Sequence, residues 1–212
     1  MTIDWAQLKR AEDGGRRLRI GLPHCSEPVE VVLETDKEPS RAQMEAVEEL
    51  IRNWPALRLA LARPLFAYYR STLVAATDVE PTNAREEDIW SHAAVHEIRC
   101  PTHTSEGHRY IRIGGSCSWE EEHGLEILVR NGSEIIYLGS HNGGDVSMEP
   151  SEDEWWNFAI SKNQEAALAA EDPLTDEEIA ELAVSADDPM EGSSSQRAPA
   201  GARQTKPWWR LW

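Results

Sequence analysis

The stretch LEILVRNGSEIIYLG, Leu125–Gly139, constrains the fold more than any other part of the chain. Two apolar runs flank Asn131–Gly132. A two-residue hairpin turn needs positive φ at both central positions, and Asn-Gly tolerates it best. The spacing predicts antiparallel strands over Leu125–Arg130 and Glu134–Gly139. Two more strands are predicted upstream, in AVHEIRC (Ala94–Cys100) and HRYIRIGGS (His108–Ser116). A third pair, RLRIGL (Arg17–Leu22) and VEVVLE (Val29–Glu34), is separated by PHCSEP and reads as a hairpin.

Between these groups the period changes. SRAQMEAVEELIRNW opens with a capping box, Ser40 with Gln43, and places Met44, Val47, Leu50, Ile51 and Trp54 on one helical stripe. Pro55 is predicted to end this helix and to start the next at its first position. Leu57, Leu61, Leu65 and Tyr68 form the second stripe, and Pro64 is expected to kink it. A short helix is predicted around Arg85–Ser91. The order ββααα-ββββ segregates strands from helices. It predicts an α+β fold with an antiparallel sheet of about six strands packed against helices.

Charge divides the chain. The 212 residues carry a net charge of −17, which argues against a nucleic-acid-binding surface, since phosphate contacts need clustered Lys and Arg. Residues 151–191 hold thirteen acids and one base, whereas 192–212 hold four bases and no acid. The boundary is placed at Pro150: an α+β domain over 1–150, an acidic, partly helical extension over 151–191, and a disordered linker over 192–212 ending in a Trp-rich peptide. Thr175 and Glu178 form a second capping box in the extension. The three cysteines, Cys25, Cys100 and Cys117, make a poor disulfide framework. The N-terminus has no signal-peptide core, and no apolar run is long enough to span a membrane. A cytoplasmic, reduced protein is expected.

The motif CSWEEEHGLEILVRNGSEIIYLG, with RAQMEAVEELIRNWPALRLALARPLFAYYRS upstream, resembles a bacterial domain family of unknown function. That family is marked by a Ser/Cys-Trp-Asp/Glu-Glu-Glu-His-Gly-Leu turn before a final hairpin and by a helical region ending in a Tyr-Tyr pair. The resemblance covers roughly residues 15–145 and implies a compact domain with no established reaction. Some members are similar to proteins encoded near toxin–immunity loci. Several relatives have Asp where this chain has Glu120, so the first acid is not strictly placed.

Glu120, Glu122 and His123 are the candidate catalytic or metal-binding group, because two carboxylates and an imidazole can move protons or hold a divalent cation. Consecutive residues on a turning chain do not converge, however, and the stretch lacks the i, i+4 spacing of helical zinc sites. The structural reading assigns Trp119 to packing over the hairpin, Glu122 or His123 to bonds with turn amides, and Gly124 to an unusual φ. Cys100, His103, His108, Cys117 and His123 could form a zinc site if strand pairing joined the cysteines, but their spacing matches no standard pattern. GSHNGGD (Gly139–Asp145) lacks the following helix of a phosphate cradle, His92 and His96 are separated by a helix–strand transition, and His24 and Cys25 fall in a solvated loop. No catalytic residue, metal or cofactor is assigned.

The terminal PWWRLW remains. Trp208, Trp209, Arg210 and Trp212 are residues typical of binding hot spots. Such a peptide can dock on a protein partner, lie at a membrane surface or fold back on its own acidic segment. The sequence is read as a non-enzymatic protein–protein interaction module, immunity-like, that binds an unknown protein partner through this peptide. The alternative is a metal-assisted hydrolase using Glu120–His123.

Overall fold

The computed structural model describes residues 3–12, 14–35, 37–75, 84–102, 104–105, 107–141 and 156–170. One apolar row organises them. Leu18, Val31, Ile98, Ile113, Ile127 and Leu138 are cross-strand partners in succession, and all are buried in one core. They lie on β2 (Arg16–Ile20), β3 (Val29–Glu34), β4 (Ala93–Pro101), β5 (Tyr110–Cys117), β6 (Glu120–Arg130) and β7 (Glu134–Gly139). A short strand, β1 (Lys9–Arg10), adds to the β2 edge, so the sheet has seven strands in sequence order.

The α+β class holds, with two corrections. The sheet has seven strands, because the two-residue β1 carries no alternation to detect. It is also not wholly antiparallel: β3 pairs parallel with β4. The helical excursion between them carries the chain from the end of β3 back to the end of the sheet where β3 began, and such a crossover leaves the strands parallel.

That excursion is α1 (Arg41–Ala60) followed by α2 (Ala62–Ala75). The capping box forms: Gln43 N–H donates to Ser40 Oγ at 3.2 Å, and Ser40 N–H donates to Gln43 Oε1 at 3.1 Å. Val47, Leu50, Ile51, Trp54 and Leu57 point into the core. Pro55 does not end α1 but lies inside it, held there by the burial of Ile51, Trp54 and Leu57 on the sheet. The break comes after Ala60. Pro64 has no N–H for the Ala60 carbonyl and its ring would clash with it, so Pro64 sits in the first turn of α2 and does not kink the helix further along. A 3-10 segment, Glu86–Ser91, leads into β4.

The Asn131–Gly132 turn has φ of 50° and 73° and tucks against α1, where Asn53 Nδ2 donates to Gly132 O at 3.3 Å. Past the last strand, Asn157 closes the β7 edge. Its Oδ1 accepts from Leu138 N–H at 3.2 Å and its Nδ2 donates to Ile136 O at 2.9 Å. An edge strand left open would template pairing with another chain. Phe158 and α3 (Ser161–Ala169) complete the core, with Arg70 Nη2 donating to Ala170 O at 2.9 Å. Thr175, Glu178 and the 192–212 segment lie outside the described residues. No helix among the described residues is long and apolar enough to cross a membrane.

Candidate functional site

Cys117 pairs directly with Glu120, so Ser118 and Trp119 alone turn the chain from β5 into β6. The acidic run therefore belongs to the first residues of β6, which begins five residues earlier than the Leu125 start expected from alternation. Ser118 N–H ties the turn to His92 O at 2.9 Å. Trp119 goes inward and is 2% exposed. Its ring meets Tyr68 and Tyr69 of α2 edge-on, at 5.8 and 5.6 Å between centroids. Tyr68 also stacks on Phe158 at 5.5 Å.

The carboxylate that serves the turn amides is that of Glu120, not a side chain of Glu122 or His123. Glu120 Oε1 accepts from the N–H groups of Glu122 and His123, each at 3.2 Å. The same oxygen lies 3.3 Å from His123 Nδ1. Glu121, Glu122 and His123 are exposed. Gly124 follows with φ 66°, a conformation L side chains avoid, and a Cβ there would stand 2.6 Å from Gly115 O. Tyr68 Oη donates to Gly124 O at 3.2 Å.

Behind the turn the titratable groups are neutral. Burial pushes the Cys117 thiol up to about 12, and the Glu120 charge adds to this. Burial likewise raises the Tyr68 phenol, with Cys117 and Glu120 adding further. A thiol held protonated is a poor nucleophile and a poor metal ligand.

The zinc grouping does not assemble among the described residues. Cys117 is opposite Ala93 at one end of β4, while Cys100 lies seven positions on, about 24 Å away along the strand. Burial also pushes Cys100 up to about 12, against the opposing effect of Arg109. His108 Nδ1 pairs with Asn131 Nδ2 at 3.0 Å, and His24 sits at φ 65° in the β2–β3 loop. His103 and the 142–145 part of the Gly-rich loop lie outside the described residues, as do Trp208, Trp209, Arg210 and Trp212. No three His, Cys, Asp or Glu side chains among the described residues are grouped to hold a metal ion.

A second polar region was not singled out from the sequence. All described helices pack on one face of the sheet, and the opposite face carries ordered charge. Its register row runs Arg19, Glu30, Glu97, Gly114, Glu126 and Gly139, beside a row containing Arg17, Val32, Arg99, Arg112, Leu128 and Tyr137. Arg17 pairs with Glu30 at 2.8 Å, and Arg99 grips Glu97 with two bonds of 2.9 Å while reaching Glu34 at 3.2 Å. Glu126, 4% exposed, sits between Arg112 at 3.5 Å and His141. His96 Nε2 and Ser116 Oγ are 2.8 Å apart nearby. The polar alternates of β3 to β6 were legible as a face; which of them meet depends on cross-strand register.

The family model for a domain of unknown function, DUF6985, matches residues 9–146, beginning at β1 and ending just past β7. No curated protein and no solved structure matches the chain. The match covers well over half of the chain and all seven strands of its sheet, so this chain belongs to the DUF6985 family of domains of unknown function.

Proposed function

We propose that this is a cytoplasmic bacterial protein–protein interaction module, immunity-like, without chemistry of its own. One observation carries the reading. The acid that begins the Glu120–His123 motif spends its carboxylate on the amides of its own turn, and the side chains of Glu121 and Glu122 stand exposed beside it. The motif thus serves as a fold element. Buried free thiols at Cys100 and Cys117 support a reducing compartment. In this reading the partner is held by Trp208, Trp209, Arg210 and Trp212, which supply rings large enough for a hot spot.

The test uses the full chain as bait in a lysate of its source cell, with captured proteins quantified by mass spectrometry. A Trp208→Ala/Trp209→Ala/Trp212→Ala variant is expected to lose the specific partner, and a folded Glu120→Gln/His123→Ala variant to keep it. The opposite pattern would sink the proposal. The second reading, a metal-assisted hydrolase using Glu120, Glu122 and His123, rests on the 3.3 Å approach of His123 Nδ1 to Glu120. It requires hydrolysis of a model ester or phosphoester that depends on a divalent cation and disappears in the double variant.

A further inference from the structure

The free corner of the sheet, at β1 and β2, gathers basic side chains in a chain whose net charge is −17. Lys9, Arg10, Arg17 and Arg19 line a cleft of about 520 Å³ with Gln7 and Glu30. Arg17 is matched by Glu30. Lys9, Arg10 and Arg19 are exposed and make no ion pair with another described residue. Basic residues on an edge strand discourage pairing with other chains, which accounts for Lys9 and Arg10 on β1. It extends to Arg19, which lies on β2 past the end of β1, since β1 pairs only with Arg16 and Arg17.

The complementary charge is in the same chain. Residues 171–191 hold nine acids and no base: Glu171, Asp172, Asp176, Glu177, Glu178, Glu181, Asp187, Asp188 and Glu191. We propose that the Lys9–Arg10–Arg17–Arg19 cleft docks this acidic segment of its own chain. Tethering favours it over a free anion, because the segment is present at an effective concentration set by chain length. A nucleic acid is disfavoured by the net charge of −17 that surrounds the cleft.

Reach selects which acids dock. α3 packs on α2 near β7, at the edge of the sheet opposite β1. Six inter-strand steps separate β1 from β7, about 29 Å. From Ala170 the first acids are too near their anchor to cross this distance. The 21 residues to Glu191 span about 70 Å when extended, so Asp187, Asp188 and Glu191 reach the cleft in an extended form. Each exposed ion pair is weak, so docking depends on several forming together and on low salt.

Zero-length carbodiimide coupling of the full chain tests this. The chain has only four lysines, Lys9, Lys37, Lys162 and Lys206, so each cross-link is assignable by peptide mass. The expected product joins Lys9 to Asp187, Asp188 or Glu191. Its yield should fall about tenfold between 0.1 and 1 M NaCl, as the screening length shrinks from about 10 to about 3 Å. The local Lys162–Glu165 product should persist as an internal reference. A folded Arg10→Gln/Arg19→Gln variant should lose most of the Lys9 product; should it fail to fold, the salt series on the unaltered chain carries the test. Coupling of Lys9 only to neighbouring acids such as Glu12 or Glu30 at low salt would overturn the proposal. In a mixture of heavy-isotope and unlabelled chains, products within one isotope support docking in one chain. Mixed products would overturn that in favour of exchange between two copies.

Discussion

Truncation of Trp119 tests whether the motif turn is built for stability. The ring is 2% exposed, wedged between Tyr68 and Tyr69, and belongs to the main core. Replacing a buried Trp by Ala costs about 3–5 kcal/mol, and the loss of two edge-on ring contacts places Trp119→Ala in the upper part of that range. For a domain of this size it amounts to a fall in Tm of roughly 10 °C or more. The indole nitrogen adds a sharper test. Trp119 Nε1 is buried and has no hydrogen-bond partner. Trp119→Phe removes an unsatisfied donor as well as ring volume, so it should cost only about 1 kcal/mol. Urea unfolding followed by far-UV circular dichroism reads both values. An alanine variant within 1 kcal/mol of the unaltered protein would show that the ring does not support the core. A phenylalanine variant as damaged as the alanine one would refute this reasoning and show that the indole N–H is hydrogen-bonded in solution.

Gly124→Ala should destabilise by about 2 kcal/mol or more in the same assay, because φ is 66° and the new Cβ would press on Gly115 O, a backbone atom that cannot swing away. Pro55→Ala should stabilise by about 1 kcal/mol or more, since it restores the missing helical donor inside α1 at an exposed position; a loss of stability would mean the proline ring itself packs usefully. The buried thiols set an alkaline limit. Cys100 and Cys117 keep their protons in the folded state to about 12, while unfolded thiols lose theirs from about 8.5, so above that pH the unfolded chain binds fewer protons and stability falls as pH rises. The decline approaches about 1.4 kcal/mol per pH unit for each thiol, and urea midpoints between pH 7 and 10.5 should fall less steeply in a Cys117→Ala variant.

The sequence by itself determined the local elements. The positive φ of the Asn131–Gly132 turn, the Ser40–Gln43 capping box, the apolar stripe of α1 and the strand over Glu134–Gly139 depend on groups a few residues apart, and each formed as its residues dictate, whereas the second stripe is split, with Leu57 in α1 and Leu65 and Tyr68 in α2. The candidate motif was equally visible, down to the φ of Gly124, yet which acid did the bonding was not. Glu120, Glu121 and Glu122 are chemically alike, and only the pairing of Cys117 with Glu120 turns the first of them back over its own amides. Tertiary packing decided the rest. Pro55 stays helical because its neighbours are pinned to the sheet, whereas Pro64 breaks the helix, and residue type does not distinguish the two. The parallel β3–β4 pair follows from where the helices return the chain. The charged face exists because register sets Arg17 beside Glu30 and Arg112 beside Glu126. Alternation tells which residues share a face; only the folded sheet decides which strand lies next to which, and therefore which charges meet.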